Sequence, residues 1–262
     1  MLDINGVGPM ARFVGDLALL LPVIAGADGQ DPFVHVDGTS AAGLPLTGLR
    51  IGFYTDDGVW PTTDGTRKAV ARAADALVSV GHEVEEARPP DVAEATDLFF
   101  ALMAADGGAR ARDDLAGAER HLPSFARLLE DLRPLAVDAE GFFELSRRLF
   151  AFRERVRAFV GRFDAVLAPV AAGPAPLHGR CPGDDPEAES FLPFNYTHAY
   201  SLAGLPVTVV RAGDEAGLPV GVQVVAGAFR DEGALSVASA LEEALGSFRG
   251  PPEAFAAAPA LA

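Results

Sequence analysis

The sequence of 262 residues holds one cysteine, Cys181, one lysine, Lys68, and one tryptophan, Trp60. A single cysteine excludes an intramolecular disulfide and suits a reducing compartment, so a cytoplasmic location is expected. Basic residues are scarce: 21 Lys and Arg stand against 37 Asp and Glu, for a net charge of −16. That balance excludes the concentrated basic face that a phosphate backbone requires, and no nucleic-acid partner is expected. No apolar run approaches the ~20 residues that span a bilayer, so no membrane partner is expected. The run Leu17–Ala25 has the look of a secretory leader, but Asp3 and the lack of any base before Arg12 argue against one. The histidines at 35, 82, 121, 178 and 198 show neither HxxxH nor HExxH spacing. No metal site is therefore expected. A G-x-S-x-G elbow and a phosphate-cradling glycine loop are also missing.

What is present reads as α/β: a mixed, largely parallel sheet with helices on both faces. An amphipathic helix is expected from about Met10 to Ala25, with Pro9 at its start and Arg12 and Asp16 placed to pair. Residues 26–48 read as loop. Leu49–Tyr54 reads as a strand, and Thr63 as the N-cap of a helix from Asp64 to Val80 that ends at Gly81. Val70, Ala74, Leu77 and Val78 form its apolar stripe, and Val84 begins a second strand. This strand–helix–strand unit implies a parallel pair. Helical patterns follow at about Val92–Leu115, Phe125–Leu132 and Glu140–Phe163. The last has a stripe of Phe142, Leu145, Leu149, Phe152, Val156, Phe159 and Val160. Asp164–Ala168 reads as a short strand. Val207–Val210 and Val220–Val225 are β-branched and apolar on both faces, the pattern of inner strands covered on two sides. Asp231 opens a final helix that runs to about Leu245.

Few constellations suggest chemistry. Asp184, Asp185, Glu187 and Glu189 match no EF-hand spacing and read as a solvated acidic loop. Cys181, with His178 and His198 near it in sequence, is conceivable as a nucleophile but has no local signature. Four blocks are more informative. They are Asn5-Gly6-Val7-Gly8-Pro9-Met10-Ala11-Arg12 with Gly26, Asp28, Asp31 and Pro32; Asp164-Ala165-Val166-Leu167-Ala168-Pro169 with Pro174-Ala175-Pro176; Phe194-Asn195 with Gly204-Leu205-Pro206; and Gly217-Leu218-Pro219-Val220-Gly221-Val222-Gln223. In this order they resemble the amidase-signature hydrolases over nearly the whole chain. The resemblance implies cleavage of carboxamide C–N bonds without metal or organic cofactor, on a large mixed sheet flanked by helices. It places residues 1–250 as the C-terminal portion of one amidase-signature domain, with 251–262 as a frayed tail.

The resemblance also implies a nucleophilic serine, a second serine and a lysine base, all upstream of the first of these blocks. A lysine takes a proton from serine only where burial holds it neutral. This sequence has no Ser-Ser pair, and Lys68 sits beside Arg67 on the polar side of a helix. No residue is therefore assigned a catalytic role. The resemblance implies Phe191, Phe194 and Asn195 as the candidate substrate-side residues, with Leu98, Phe99 and Met103 as further positions; core packing also explains each of these except Asn195. Asn195 is equally suited to cap the helix after it, and Gln223, if buried, needs partners. Three readings stand. The chain is an inactive portion of an amidase. Or it is a non-catalytic module that binds a small-molecule amide or complements a separate N-terminal half. Or it is an enzyme using Cys181. With half a domain, uncovered faces and edges predict an aggregation-prone or molten chain.

Overall fold

The computed structural model describes residues 4, 6–27, 29, 47–117, 123–176, 195–246 and 248. Cys181, Phe191, Phe194, His178, the acidic residues 184–189 and the tail 251–262 lie outside the described residues. Among the described residues, five strands form one sheet: β1 (Arg50–Phe53), β2 (Glu83–Glu86), β3 (Ala165–Pro169), β4 (Val207–Glu215) and β5 (Leu218–Val225). Their order is β2-β1-β3-β5-β4. β1 runs parallel to both β2 and β3. β5 runs antiparallel to both β3 and β4. The sheet is thus mixed, with the parallel and antiparallel pairings equal in number. β3 reads Ala-Val-Leu-Ala-Pro and is buried at every position, as expected of a central strand covered on both sides.

The helices divide between the faces. On one side α2 (Asp64–Ser79) and α8 (Asp231–Leu245) bury Val70, Ala73, Leu77, Val237 and Leu241 against Ile51, Leu167, Val222 and Val224. On the other, α3 (Glu94–Ala104), α6 (Ala139–Val160) and α7 (Asn195–Ala203) bury Leu98, Leu149, Phe152, Val156, Tyr196 and Tyr200 against Val166, Ala168 and Val225. The expected N-cap of α2 is present, with Thr63 Oγ1 accepting from the Thr66 N–H at 3.3 Å. α6 is capped by Asp138, whose Oδ1 accepts from the Gly141 N–H at 2.9 Å.

Several expectations are corrected. The first helix, α1 (Val14–Ile24), starts beyond Pro9 and Arg12. Arg12 stacks over the Phe248 ring instead of pairing with Asp16, and the Glu242 carboxylate of α8 accepts from the Val14 N–H. The helix expected over Val92–Leu115 is two, α3 and α4 (Ala109–Leu115), because Gly107 and Gly108 both take positive φ between them. α5 (Pro123–Leu132) follows much as expected. Val78 and Phe142 face solvent and drop out of their stripes. The largest correction concerns β4. Its side chains alternate between buried and open, and it forms an edge of the sheet. β5 is the inner strand that its sequence implies.

Candidate functional site

Parallel strands direct their carboxyl ends to one rim of a sheet, where loops and helix starts collect polar groups. Here the loops after β1 and β3 are stitched to each other, the Thr63 N–H donating to the Ala172 carbonyl at 2.8 Å. The turn after β1 is built by two aspartates. Asp56 accepts from the Gly58 and Thr62 N–H groups at 2.6 and 3.1 Å. Asp57 Oδ1 accepts from the Val59 and Trp60 N–H groups at 2.8 and 2.7 Å. Asp57 is buried, and that burial raises its carboxyl pKa above the usual value against the pull of these two N–H donors and Arg88.

The chain has three tyrosines, and all three meet at this rim. Tyr196, on the first turn of α7, donates its hydroxyl to the Trp60 carbonyl and accepts from the Asp57 N–H at 3.4 Å. Tyr54 and Tyr200 share a buried hydroxyl–hydroxyl hydrogen bond of 2.9 Å. Burial raises the pKa of all three phenols, so they stay neutral and act as hydrogen-bond donors and acceptors. Gln223 of β5 reaches into the same network. Its Nε2 donates to the carbonyls of Pro169 and Tyr196 at 2.6 and 2.9 Å. The far end of α7 is held from α6, with Arg153 Nε donating to Leu202 O at 2.6 Å and Arg157 Nε to Ala203 O at 2.7 Å. These two cations satisfy carbonyls that the helix end leaves open.

Asn195 opens α7 and is 3% exposed. Neither its Oδ1 nor its Nδ2 has a hydrogen-bond partner among the described residues. The expected capping role is therefore not filled by its side chain. A buried carboxamide left unpaired costs about 1–3 kcal/mol, and in native structures such a group calls for a reason. Beside the aspartate turn lies an open cleft of about 360 Å³, lined by Asp57, Gly58, Arg88, Pro89, Pro90 and Asp91. Gly58 has φ +79°, and the Arg88 guanidinium lies so close that a Cβ there would sit 2.4 Å from it.

On the α3 side of α7, His198 stacks on Phe99 with ring centroids 4.2 Å apart and meets Phe100 edge-on at 5.4 Å. Its Nδ1 lies 3.3 Å from Thr96 Oγ1. Burial among these rings pushes its pKa down to about 4. Leu98 is core, Phe99 supports His198, and Met103 faces solvent, so none of these three lines the rim. Sequence reasoning placed Asn195 here but missed Asp57 and the tyrosines. The signal available for them was a chain that holds so few tyrosines and sets one directly after a strand.

No nucleophile–base pair stands out among the described residues. Lys68 is exposed on α2. Ser79, Ser146 and Ser236 spend their hydroxyls on carbonyls of their own helices. No group of three or more His, Cys, Asp or Glu side chains among the described residues is placed to hold a metal. No helix among them is long and apolar enough to cross a membrane.

Comparison with known proteins gives this rim a context. A glutamyl-tRNA(Gln) amidotransferase subunit of Azotobacter vinelandii is 31% identical over 279 residues, covering 95% of this chain and 56% of that protein. The subunit of the same name from Roseiflexus sp. is 32% identical over 269 residues, covering 92% and 54%. The chain thus spans about half the length of the curated relatives it matches. Among solved structures, fatty acid amide hydrolase superposes with a TM-score of 0.74 at 19% identity, covering 91% of this chain and 48% of that one. A bacterial aryl acylamidase of the amidase-signature family gives 0.71 at 23% identity, covering 90% and 52%. At such identities the superpositions establish the fold, and they establish it as the α/β fold that the sequence blocks implied. Residues 2–235 match the Amidase family, and with this extent of match the chain belongs to that family.

Proposed function

We propose that this chain is the substrate-side portion of a carboxamide hydrolase and does not hydrolyse amides by itself. The observation that carries this reading is the exposure of Lys68, the only lysine of an amidase-family chain. An exposed lysine lacks the burial that a lysine base for serine needs. The catalytic groups then come from a polypeptide portion that this chain does not supply. Family membership supports amide hydrolysis as the reaction of the completed site.

Within that site, the Asn195 carboxamide is proposed to face the substrate amide, donating from Nδ2 to its carbonyl oxygen and accepting its N–H at Oδ1. Phe191 and Phe194, just before it in sequence, are proposed as apolar neighbours of the same substrate. The single cysteine supports a cytoplasmic setting. The test is ammonia or amine release from a short acyl amide and from an aryl amide by the purified chain. No release above buffer is expected. Hydrolysis that follows chain concentration and survives Lys68→Ala would overturn the reading, and loss of that activity in Cys181→Ala would point to cysteine chemistry instead.

A further inference from the structure

Arg88 leaves the carboxyl end of β2 on a backbone that has little freedom. The Ala87 N–H donates to the Phe53 carbonyl at 2.8 Å, which ties the chain to β1 one residue earlier. Pro89 and Pro90 follow, so Arg88 is confined to extended conformations. Pro89 is buried and anchors this stretch. The guanidinium lies against the bare backbone of Gly58, whose φ is +79° and where any Cβ would strike it. Gly58, Arg88, Pro89 and Pro90 together form walls of the open cleft of about 360 Å³.

The acids around this cleft are engaged by other groups. Asp56 accepts from the Gly58 and Thr62 N–H groups, and Asp57 Oδ1 accepts from those of Val59 and Trp60. Asp91, at φ +54°, lies 3.2 Å from Arg155 Nε, an ion pair without hydrogen-bond alignment. Glu94 is held by Arg148 and Arg155 at 3.2 and 2.7 Å. Arg88 has no hydrogen bond or ion pair among the described residues, and its charge reaches Asp57 only through space. The chain has 37 acids to 21 bases, yet this guanidinium is positioned by glycine and proline and left without an acid.

The shape of the donor set narrows the ligand. The N–H groups of Gly58, Val59 and Trp60 are taken by the two aspartates, so they offer no nest for a three-oxygen dianion. A planar carboxylate matches the two-pronged guanidinium. We propose that the Arg88 cleft is a binding site for a small carboxylate, held by paired N–H donation from the guanidinium. The net charge of −16 repels anions at long range, so affinity comes from this local geometry. Tyr196 bonds both the Asp57 N–H and the Trp60 carbonyl, and the cleft therefore adjoins the start of α7, where Asn195 sits. Two sources share the chemistry: a carboxylate carried by an amide substrate, or the one that amide hydrolysis releases. The choice between them rests on the reading of this chain as part of an amidase; the site does not.

The test titrates propionate into the purified chain at constant ionic strength. Calorimetry gives the affinity, and Trp60 fluorescence reports locally, because Asp57 lines the cleft and holds the Trp60 N–H. A saturable site with Kd on the order of 1–10 mM is expected, with neutral propionamide about tenfold weaker or worse. Arg88→Gln should weaken propionate about tenfold or more. Arg72→Ala removes the same charge from an exposed position on α2 and should leave binding unchanged. Gly58→Ala keeps the charge but displaces the guanidinium, and should weaken binding too. Asp57→Asn removes a repelling charge and should tighten binding about two- to fivefold, which damage to the fold would not do. Circular dichroism checks that each variant is folded. No saturable binding, equal losses in Arg88→Gln and Arg72→Ala, or inorganic phosphate bound as tightly as propionate would overturn the proposal. Monoamides of dicarboxylic acids, from succinamate to longer chains, separate the two sources. A monoamide that binds more tightly than propionate, and loses the excess in Asn195→Ala, assigns the carboxylate to the substrate. If none does, the site holds the released acid. Amide hydrolysis by the chain alone would sink the functional reading and leave the carboxylate site standing.

Discussion

His198 makes the stability of this chain depend on pH in a defined direction. The ring stacks on Phe99, meets Phe100 edge-on, lies within reach of the Thr96 hydroxyl, and has its pKa lowered to about 4 by burial alone. In the unfolded chain the same ring titrates near 6.5. The folded state therefore resists protonation that the unfolded state accepts. The contribution is complete above about pH 6.5 and is lost as the pH falls from there towards 4. The full span between the two values corresponds to about 3 kcal/mol; water reaching the ring edge reduces the expected loss to about 1–2 kcal/mol. Trp60 is the only tryptophan, so urea unfolding followed by its fluorescence reports on a residue anchored to Tyr196 at the rim. The measurement is the unfolding free energy at pH 7 and pH 4.5 for the wild type and for His198→Phe, which keeps an aromatic ring in the stack and has nothing to protonate. The wild type should lose about 1–2 kcal/mol more than the variant over that interval. Equal losses, or a ring titrating above pH 6 by NMR, would refute the argument from burial.

Three further outcomes follow from the rim. Gln223→Leu leaves the Pro169 and Tyr196 carbonyls without their side-chain donor, and should cost about 3 kcal/mol in urea unfolding; a loss under about 0.5 kcal/mol would mean that water replaces the amide. Tyr54→Phe strands the Tyr200 hydroxyl and should cost about 1–2 kcal/mol, whereas the double change to phenylalanine removes both hydroxyls and should cost less than the two single changes added together. Asp57→Asn keeps an oxygen to accept from Val59 and Trp60 but removes a buried charge. At pH 7 it should be neutral or stabilising by up to about 1 kcal/mol, and a clear loss in the urea midpoint would show that the charge itself holds the turn.

Local features were legible because they depend on neighbours in the chain. Thr63 caps α2 by reaching three residues ahead, and the stripe from Leu145 to Val160 follows from helical spacing alone. The break between α3 and α4 is also local, but two adjacent glycines permit a helix as well as a turn, and only the tertiary structure shows that a Cβ at 107 or 108 would meet Arg133 or Leu129. The candidate site was legible only in part. Asn195 was singled out, but its burial and its lack of partners depend on elements that pack around α7.

The sequence by itself determined the family, the order of the elements and the scarcity of lysine, because motif blocks, periodicity and composition are properties of the chain in one dimension. Only the tertiary structure decided that the three tyrosines share one rim, since Tyr54 and Tyr200 lie 146 positions apart and meet on one face of the sheet. Only it decided that β4 is an edge. Residue composition tells which surfaces prefer to leave water, while coverage depends on which other elements arrive to bury them, and along Val207–Val209 none of the described elements does.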